Sequence, residues 1–330
     1  FDHKSITANN INFVMTYQSK NSLNPISSFV TDDFFGLLDA TDHIESSNSG
    51  LVDIGIGRLP IKSADEAQSL VNKIYNYTDY DNKGDWINSL CFIGDDEDNN
   101  IHMRDADRLA TYVDTVYPHF FINKIYLDAF PQERSATSES YPEVNRIINE
   151  QVNNGILIFN YTGHGGENGL AHERILTIDN INSWKNKNKL AIFMTATCEF
   201  SRFDNHKYVS AGERVILNTN GGGIALFSTT RLVYSSPNYI LNKNFYRYVF
   251  EKNHKNNYYT LGDIMRLAKN TSGSTNNKRN FTLLGDPALK IPLAHFNVVT
   301  DSINHKDANY YTDTLKALSK VTVHGHISDP

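Results

Sequence analysis

Two stretches decide the fold: Ile156-Leu-Ile-Phe-Asn-Tyr-Thr-Gly-His-Gly-Gly166 and Leu190-Ala-Ile-Phe-Met-Thr-Ala-Thr-Cys-Glu-Phe200. Each opens on a continuous apolar run that is too short for a helix and lacks the alternation of a half-exposed strand. That is the pattern of a strand buried on both faces, as in a parallel sheet covered by helices. Each run then breaks into small polar residues around one chemically loaded side chain, His164 in the first and Cys198 in the second. In open α/β sheets, ligands and catalytic groups gather at the carboxyl ends of the strands.

Outward from these stretches, short β-type runs alternate with helix-period segments, the signature of an α/β chain with a mostly parallel sheet flanked by helices. A first strand is predicted near Ile11 to Tyr17. A helix then starts at Ser63 with Glu66 three residues on, a capping box, and takes Ala67, Leu70, Val71 and Ile74 as its apolar face. Leu90-Cys-Phe-Ile93 reads as a buried strand running into the acidic loop Asp95-Asp-Glu-Asp98. A helix near Arg104 to Val116, a strand near Phe121 to Tyr126 and a helix from Pro142 to Gly155 follow. Past Cys198 the spacing predicts a helix over Ala211 to Leu217, a strand over Ile224 to Phe227, and two helices before Gly285-Asp-Pro287. The βα rhythm stops near residue 296. With the polar stretch Asp81 to Asp85 as a divider, the expected organisation is an N-terminal α/β subdomain (1–84), a catalytic α/β subdomain (85–295) and the truncated start of a β-sandwich-like module (296–330). The chain opens without Met and closes inside an alternating run, so it reads as a piece of a longer protein whose targeting signals lie elsewhere.

Composition narrows the class. The 330 residues are 40% apolar, with mean hydropathy −0.44, which suits a soluble protein with one large core or two smaller ones. A formal charge of −6 and a pI near 6.1 argue against a nucleic-acid partner. No apolar run nears the roughly 18 residues of a membrane span. Two cysteines, Cys91 and Cys198, exclude a disulfide scaffold. Cys91 falls inside a strand and reads as a buried, inert thiol.

His164 and Cys198 end strands separated by one crossover unit, so the strands can be neighbours. A thiol needs a base beside it to reach thiolate at neutral pH, and imidazole supplies one. The glycines around His164 let the backbone approach a substrate and offer amides to a developing oxyanion. The pair favours a Cys/His dyad. Other motifs carry less. Gly55-Ile-Gly57 lacks the third glycine of a dinucleotide site. The acidic loop Asp95 to Asp98 leaves room for Ca²⁺ but has no EF-hand pattern. His172 with Glu173 lacks the third ligand a zinc site needs. Arg231 either holds an acidic substrate group or pairs with a carboxylate. Lys185 to Lys189 reads as a solvated face.

Taken together, Tyr161-Thr-Gly-His-Gly-Gly166, the strand ending in Cys198, and Phe281-Thr-Leu-Leu-Gly-Asp-Pro-Ala-Leu289 resemble the gingipain-type (C25-type) cysteine peptidases, which have a caspase-like fold. Asp32-Asp-Phe-Phe-Gly-Leu-Leu-Asp39, Asp53-Ile-Gly-Ile-Gly-Arg-Leu-Pro60, His102-Met-Arg-Asp-Ala-Asp107, Thr195-Ala-Thr-Cys-Glu-Phe-Ser-Arg-Phe-Asp204 and Phe227-Ser-Thr-Thr-Arg-Leu-Val-Tyr-Ser-Ser236 look closer to one branch. That branch comprises the C-terminal-signal peptidases, or sortases, of type IX secretion. The resemblance covers roughly residues 1 to 295. It implies Cys198 as nucleophile, His164 as base and later acid, and the amides of Gly165 and Cys198 as oxyanion hole. It implies a carboxylate orienting the histidine, for which Asp95 and Asp96 are both candidates, and a substrate pocket shaped by His102 and Tyr234. No acidic residue stands where Arg specificity would need one.

The implied activity is removal of a cargo protein's C-terminal signal through a thioester, then transfer to an amine on a surface lipopolysaccharide or other glycolipid. The alternatives are a secreted endopeptidase that only hydrolyses and a non-catalytic module that docks signals. The implied partners are cargo, glycolipid acceptor and other outer-membrane components of the secretion system, with no nucleic acid. The implied location is exported, at the bacterial outer membrane or cell surface. No cofactor is required, and a structural Ca²⁺ ion has room.

Overall fold

Six strands form the central sheet: β1 (Ser89–Gly94), β2 (Phe121–Tyr126), β3 (Ile158–Thr162), β4 (Ala191–Ala196), β5 (Gly223–Thr229) and β6 (Phe281–Leu284). Their order is β6-β5-β4-β3-β1-β2. All neighbours are parallel except β6, which runs antiparallel on β5. The computed structural model describes residues 14–329 apart from 21–23, 25, 46–49, 80–82, 137, 206, 274–275 and 294–295. Residues 11–13 of the first strand expected at Ile11 to Tyr17 lie outside the described residues, and Val14 to Thr16 are not in a strand; Tyr17–Gln18 alone pairs, antiparallel, with Val30–Thr31.

Alternate residues of the inner strands face opposite helix layers. Cys91, Ile93, Phe159, Tyr161 and Phe193 meet α3 (Pro142–Asn154), α4 (Ile178–Ser183) and α5 (Ala211–Leu217), where Val144, Ile148, Val152, Ile181 and Val215 are fully buried. Phe92 packs instead on Tyr246, and Phe227 on Phe245, both of α6 (Ser235–Val249). The continuously apolar runs exist because both faces are covered. Buried Cys91 has its thiol pushed up to about 12 by burial and is an inert core residue.

The N-terminal region joins this layer arrangement. α1 (Ala64–Thr78) is capped by Ser63 as expected, although Val71 of its expected apolar face is exposed. Buried Lys73 donates to the carbonyls of Ile216, Asn218 and Gly221, closing the end of α5. Arg58 exchanges backbone hydrogen bonds with Leu283 and Gly285 along β6. That close approach explains Gly55-Ile-Gly57: a Cβ at Gly57 would stand 2.3 Å from the Gly285 carbonyl oxygen, and one at Gly55 2.5 Å from Gly262 backbone. The remaining helices are α2 (Glu97–Val116) and α7 (Leu261–Asn270). None of the described helices is long and apolar enough to cross a membrane.

Residues 1–291 make one compact unit, with the polar stretch Asp81 to Asp85 inside it, and 292–330 make a second. The second holds a three-stranded antiparallel sheet in which Asn297–Ile303 lies between Lys306–Asp307 and Val323–Ser328.

Candidate active site

The chain leaves β1 toward β2 on one side, then crosses back to β3 on the other, so the sheet reverses direction beside β1. Clefts form at such reversals, at the carboxyl ends of the strands. Gly94, Thr162 and Ala196 are in register across β1, β3 and β4. The residues that follow them, Asp95, His164 and Cys198, therefore emerge side by side.

At Gly163 the backbone passes so close to β1 that a Cβ would lie 2.3 Å from the Asp95 Cβ and 2.5 Å from the Tyr161 hydroxyl. The next amide, of His164, donates to Asp95 Oδ2 at 2.8 Å, and the Tyr161 hydroxyl donates to the His164 carbonyl at 2.6 Å. Fully buried Asp95 thus clamps the main chain of the histidine loop. Asp96 accepts from the Tyr141 hydroxyl at 2.6 Å. Neither touches the imidazole, which corrects the expectation that one of them orients it.

The carboxylates on the ring are Asp98 and Glu97. His164 Nε2 lies 2.9 Å from Asp98 Oδ2 and 3.6 Å from Glu97 Oε2. His102 Nε2 reaches the same Asp98 oxygen at 3.3 Å, and His172 Nδ1 reaches Glu97 at 2.8 Å. The His164 ring stacks on His172 at 4.9 Å and meets His102 edge-on at 5.1 Å. Burial works to raise the Asp98 carboxyl, but hydrogen bonds and charge from His164 and His102 outweigh it and hold it below its ordinary value. The hydrogen bond to Glu97 raises His172.

Sequence reasoning missed Asp98 because its reach depends on an unusual turn. Asp98, Asn99 and Asn100 all have left-handed backbone, with φ of 52°, 55° and 63°, where the start of α2 would otherwise run straight. The signal present was the acidic loop, with Asp98 four residues ahead of His102. His102 itself is only 7% exposed and faces His164.

Cys198 is half-buried at the end of β4. Its Sγ accepts from the Val233 amide at 3.5 Å and donates to the Val233 carbonyl at 3.7 Å. Burial raises the thiol's pKa, the Val233 contact offsets part of this, and the Glu199 carboxylate raises it further. Glu199, directly after the thiol, is left-handed at φ 51°. Among the described residues no hydrogen bond joins Sγ to the His164 ring. The Ala171 amide donates to the His164 carbonyl, which leaves Gly165 in a non-bonded position of the short hairpin with its amide turned off the ladder. Among the described residues the Cys198 amide has no acceptor.

Tyr234 is 61% exposed and follows Val233, the residue in contact with the Cys198 thiol. Arg231 does not face substrate: it is 2% exposed and grips Asp204 through both terminal nitrogens at 2.8 and 2.6 Å. Its structural alternative is the one realised. The Glu173 carboxylate groups with those of Asp95 and Asp96. Its carboxyl is raised by burial and by those neighbouring charges.

A cysteine and a histidine carried on neighbouring strand ends of a mixed α/β sheet define the class of chain this is. The sequence model of peptidase family C25 matches residues 1–292, so the chain belongs to that family of cysteine peptidases. The fold is that of the gingipains. The crystal structure of the Arg-specific cysteine proteinase gingipain R (RgpB) matches with TM-score 0.64 and 19% identity over 82% of this chain and 62% of that one. The complex of Porphyromonas gingivalis RgpB pro- and mature domains matches with TM-score 0.63 and 19% identity, over 82% and 63%. Dimeric latent PorU from Porphyromonas gingivalis is 22% identical over 95% of this chain and 24% of that one, with TM-score 0.38. The chain therefore spans about three fifths of the length of the gingipain structures it matches. No curated protein matches it.

Proposed function

We propose that the chain is the catalytic segment of an exported cysteine peptidase that removes the C-terminal signal of type IX secretion cargo and transfers the cargo to an amine. The observation carrying this reading is the placement of Cys198 and His164 on level, adjacent strand ends, with the Gly165 and Cys198 amides free of backbone acceptors among the described residues. The finer assignment, to a signal peptidase rather than a general one, rests on the sequence segments around Asp32, Asp53, His102, Cys198 and Arg231.

Burial keeps the resting thiol neutral, so His164, oriented by Asp98 at Nε2, has to take the Sγ proton on its other nitrogen, Nδ1, as the peptide carbonyl arrives. The thiolate attacks the carbonyl before the signal, and the two amides receive the oxyanion. His164 then protonates the departing amine and leaves a thioester on Cys198. A glycolipid amine at the outer membrane is the proposed acceptor, with water competing. A cleft of about 550 Å³ along Gly165, Gly166, Gly169 and His172 gives an extended chain room beside the histidine loop. A structural Ca²⁺ ion would be held by Asp95, Asp96 and Glu173, where Asp96 Oδ1 and Glu173 Oε2 are buried without partners among the described residues.

The gingipain fold favours a second reading, an endopeptidase that only hydrolyses. Incubation of the chain with a cargo fragment and a small amine separates the two. An amine-capped cargo product and a thioester on Cys198, both detected by mass spectrometry, support transfer. Free acid as sole product at high amine leaves the hydrolase. Processing that survives Cys198→Ala in cells refutes both in favour of a docking module.

A further inference from the structure

We propose that the histidine cluster around the candidate base is a binding site for a zinc-type divalent transition metal, formed by Asp98, His102 and His164, and that the bound ion switches the enzyme off. The off-switch, though not the site, rests on the peptidase reading above.

The donor atoms already stand at ligand spacing. Groups bound about 2.0–2.1 Å from a tetrahedral ion lie about 3.3 Å from one another. Here Asp98 Oδ2 is 2.9 Å from His164 Nε2 and 3.3 Å from His102 Nε2, and the three atoms fall within 4.8 Å of one another. Glu97 Oε2, 3.6 Å from His164 Nε2, groups instead with His172 and His164, so solvent or substrate would complete the ion's shell. Two imidazoles and a carboxylate suit zinc, copper or nickel and do not suit calcium or magnesium.

A second feature points the same way. His102 is nine-tenths buried, and its Nδ1 has no partner among the described residues, so its polar engagement is at Nε2, into the cluster. An imidazole that only shaped a substrate pocket would have no need to be buried against a carboxylate shared with the candidate base.

Metal binding exchanges one set of bonds for another with no change of oxidation state. A neutral ring of His102 or His164 carries its proton on Nδ1 and gives its Nε2 lone pair to the ion, and a ring that starts as imidazolium releases one proton to buffer. The ion's charge at Nε2 then draws electron density from the His164 ring, which makes Nδ1 too weak a base to take the Cys198 proton. A chelator restores it.

The test uses the whole chain stripped of metal, titrated with Co²⁺ for its absorption bands and with Zn²⁺ in competition against a chromophoric chelator. The expected result is one ion per chain, visible bands without a thiolate charge-transfer band, and unchanged affinity in Cys198→Ala. Asp98→Asn and His102→Gln should each weaken binding by about tenfold or more. Asp98 is exposed, so its variant tests the site even where His102→Gln fails to fold. Zn²⁺ should inhibit reversibly, with the inhibition constant shifting by the same factor as the binding constant in Asp98→Asn. Binding lost in Cys198→Ala would place the ion on the thiol and overturn the proposal. Binding lost only in His172→Gln would place it on Glu97, His164 and His172 and overturn it equally. A chain that cleaves cargo yet neither binds nor responds to millimolar Zn²⁺ refutes the metal site and leaves the peptidase standing. A chain that binds as described but cleaves nothing after chelation refutes the peptidase and leaves the site.

Discussion

The Cys198 thiol is neutral at rest because its surroundings favour the protonated form: burial raises its pKa most, the Val233 contact offsets part of this, and the Glu199 charge adds to the rise. Its folded pKa is above the ordinary value, so at any pH near neutrality less thiolate is present than in a free cysteine. Iodoacetamide alkylation of the substrate-free chain is expected to rise with pH through an inflection above the ordinary thiol range of about 8.5. His164→Ala should leave that inflection in place, because no hydrogen bond among the described residues joins the ring to Sγ; an inflection that moves up in the variant would mean the resting dyad is already paired. The carboxylates divide by what they hold. Asp98 touches the ring, so Asp98→Asn should lower kcat/KM by at least about tenfold with little change in urea midpoint. Asp95 holds the loop, and Asp95→Ala leaves the His164 amide without its acceptor, at about 1–3 kcal/mol of stability in urea unfolding. The sequence revealed Cys198 and His164 because each interrupts an apolar strand. It could not separate four consecutive acidic residues, Asp95 to Asp98, whose roles depend on which way each side chain leaves a turn.

That turn is the element on which the site depends. Three successive left-handed residues are costly for side chains other than glycine, asparagine or aspartate, about 1–2 kcal/mol each. The chain supplies Asp98-Asn-Asn100 there and so reduces the cost. A β-branched residue at Asn99 removes that tolerance. Asn99→Val is expected to lose about 1–2 kcal/mol in urea unfolding and to lower kcat/KM with it, as Asp98 swings off the ring, whereas Asn99→Gly should stay within a few tenths. Equal behaviour of the two variants would mean the left-handed turn is not what seats Asp98. Strands were legible at this scale because burial on both faces writes itself as apolar runs; Phe121–Tyr126 and the helix ended by Gly155 fall where spacing put them. The start of α2 was not, since its first turn is set by contacts with His164 and His172, far along the chain.

At the scale of the molecule, the N-terminal segment is tied to the sheet by buried charge. Asp32 accepts from Arg58 at 2.9 Å, and Asp33 meets Lys269 of α7 at 2.5 Å and Arg279, ahead of β6, at 3.7 Å. Asp33, Lys269 and Arg279 are all at most 6% exposed, so the order in which charges are removed decides the cost. Lys269→Met leaves Asp33 still facing Arg279, a balanced pair. Asp33→Asn leaves two buried cations facing each other, and removing a buried partner in this way costs about 3–5 kcal/mol. Urea unfolding at pH 7 should therefore rank Asp33→Asn well below Lys269→Met, and the double variant should lose less than the two single losses added. Burial already lowers the Lys269 pKa, against which Asp33 raises it and Arg279 lowers it further. Without Asp33 the folded-state value drops again, while in the unfolded chain it stays near its ordinary value of about 10.4. Between those two values the unfolded chain holds the extra proton, so stability rises with pH across that window. Asp33→Asn should consequently regain stability from pH 7 to pH 9 more steeply than the parent chain, and a parallel pair of curves would show that Asp33 does not govern the charge on Lys269.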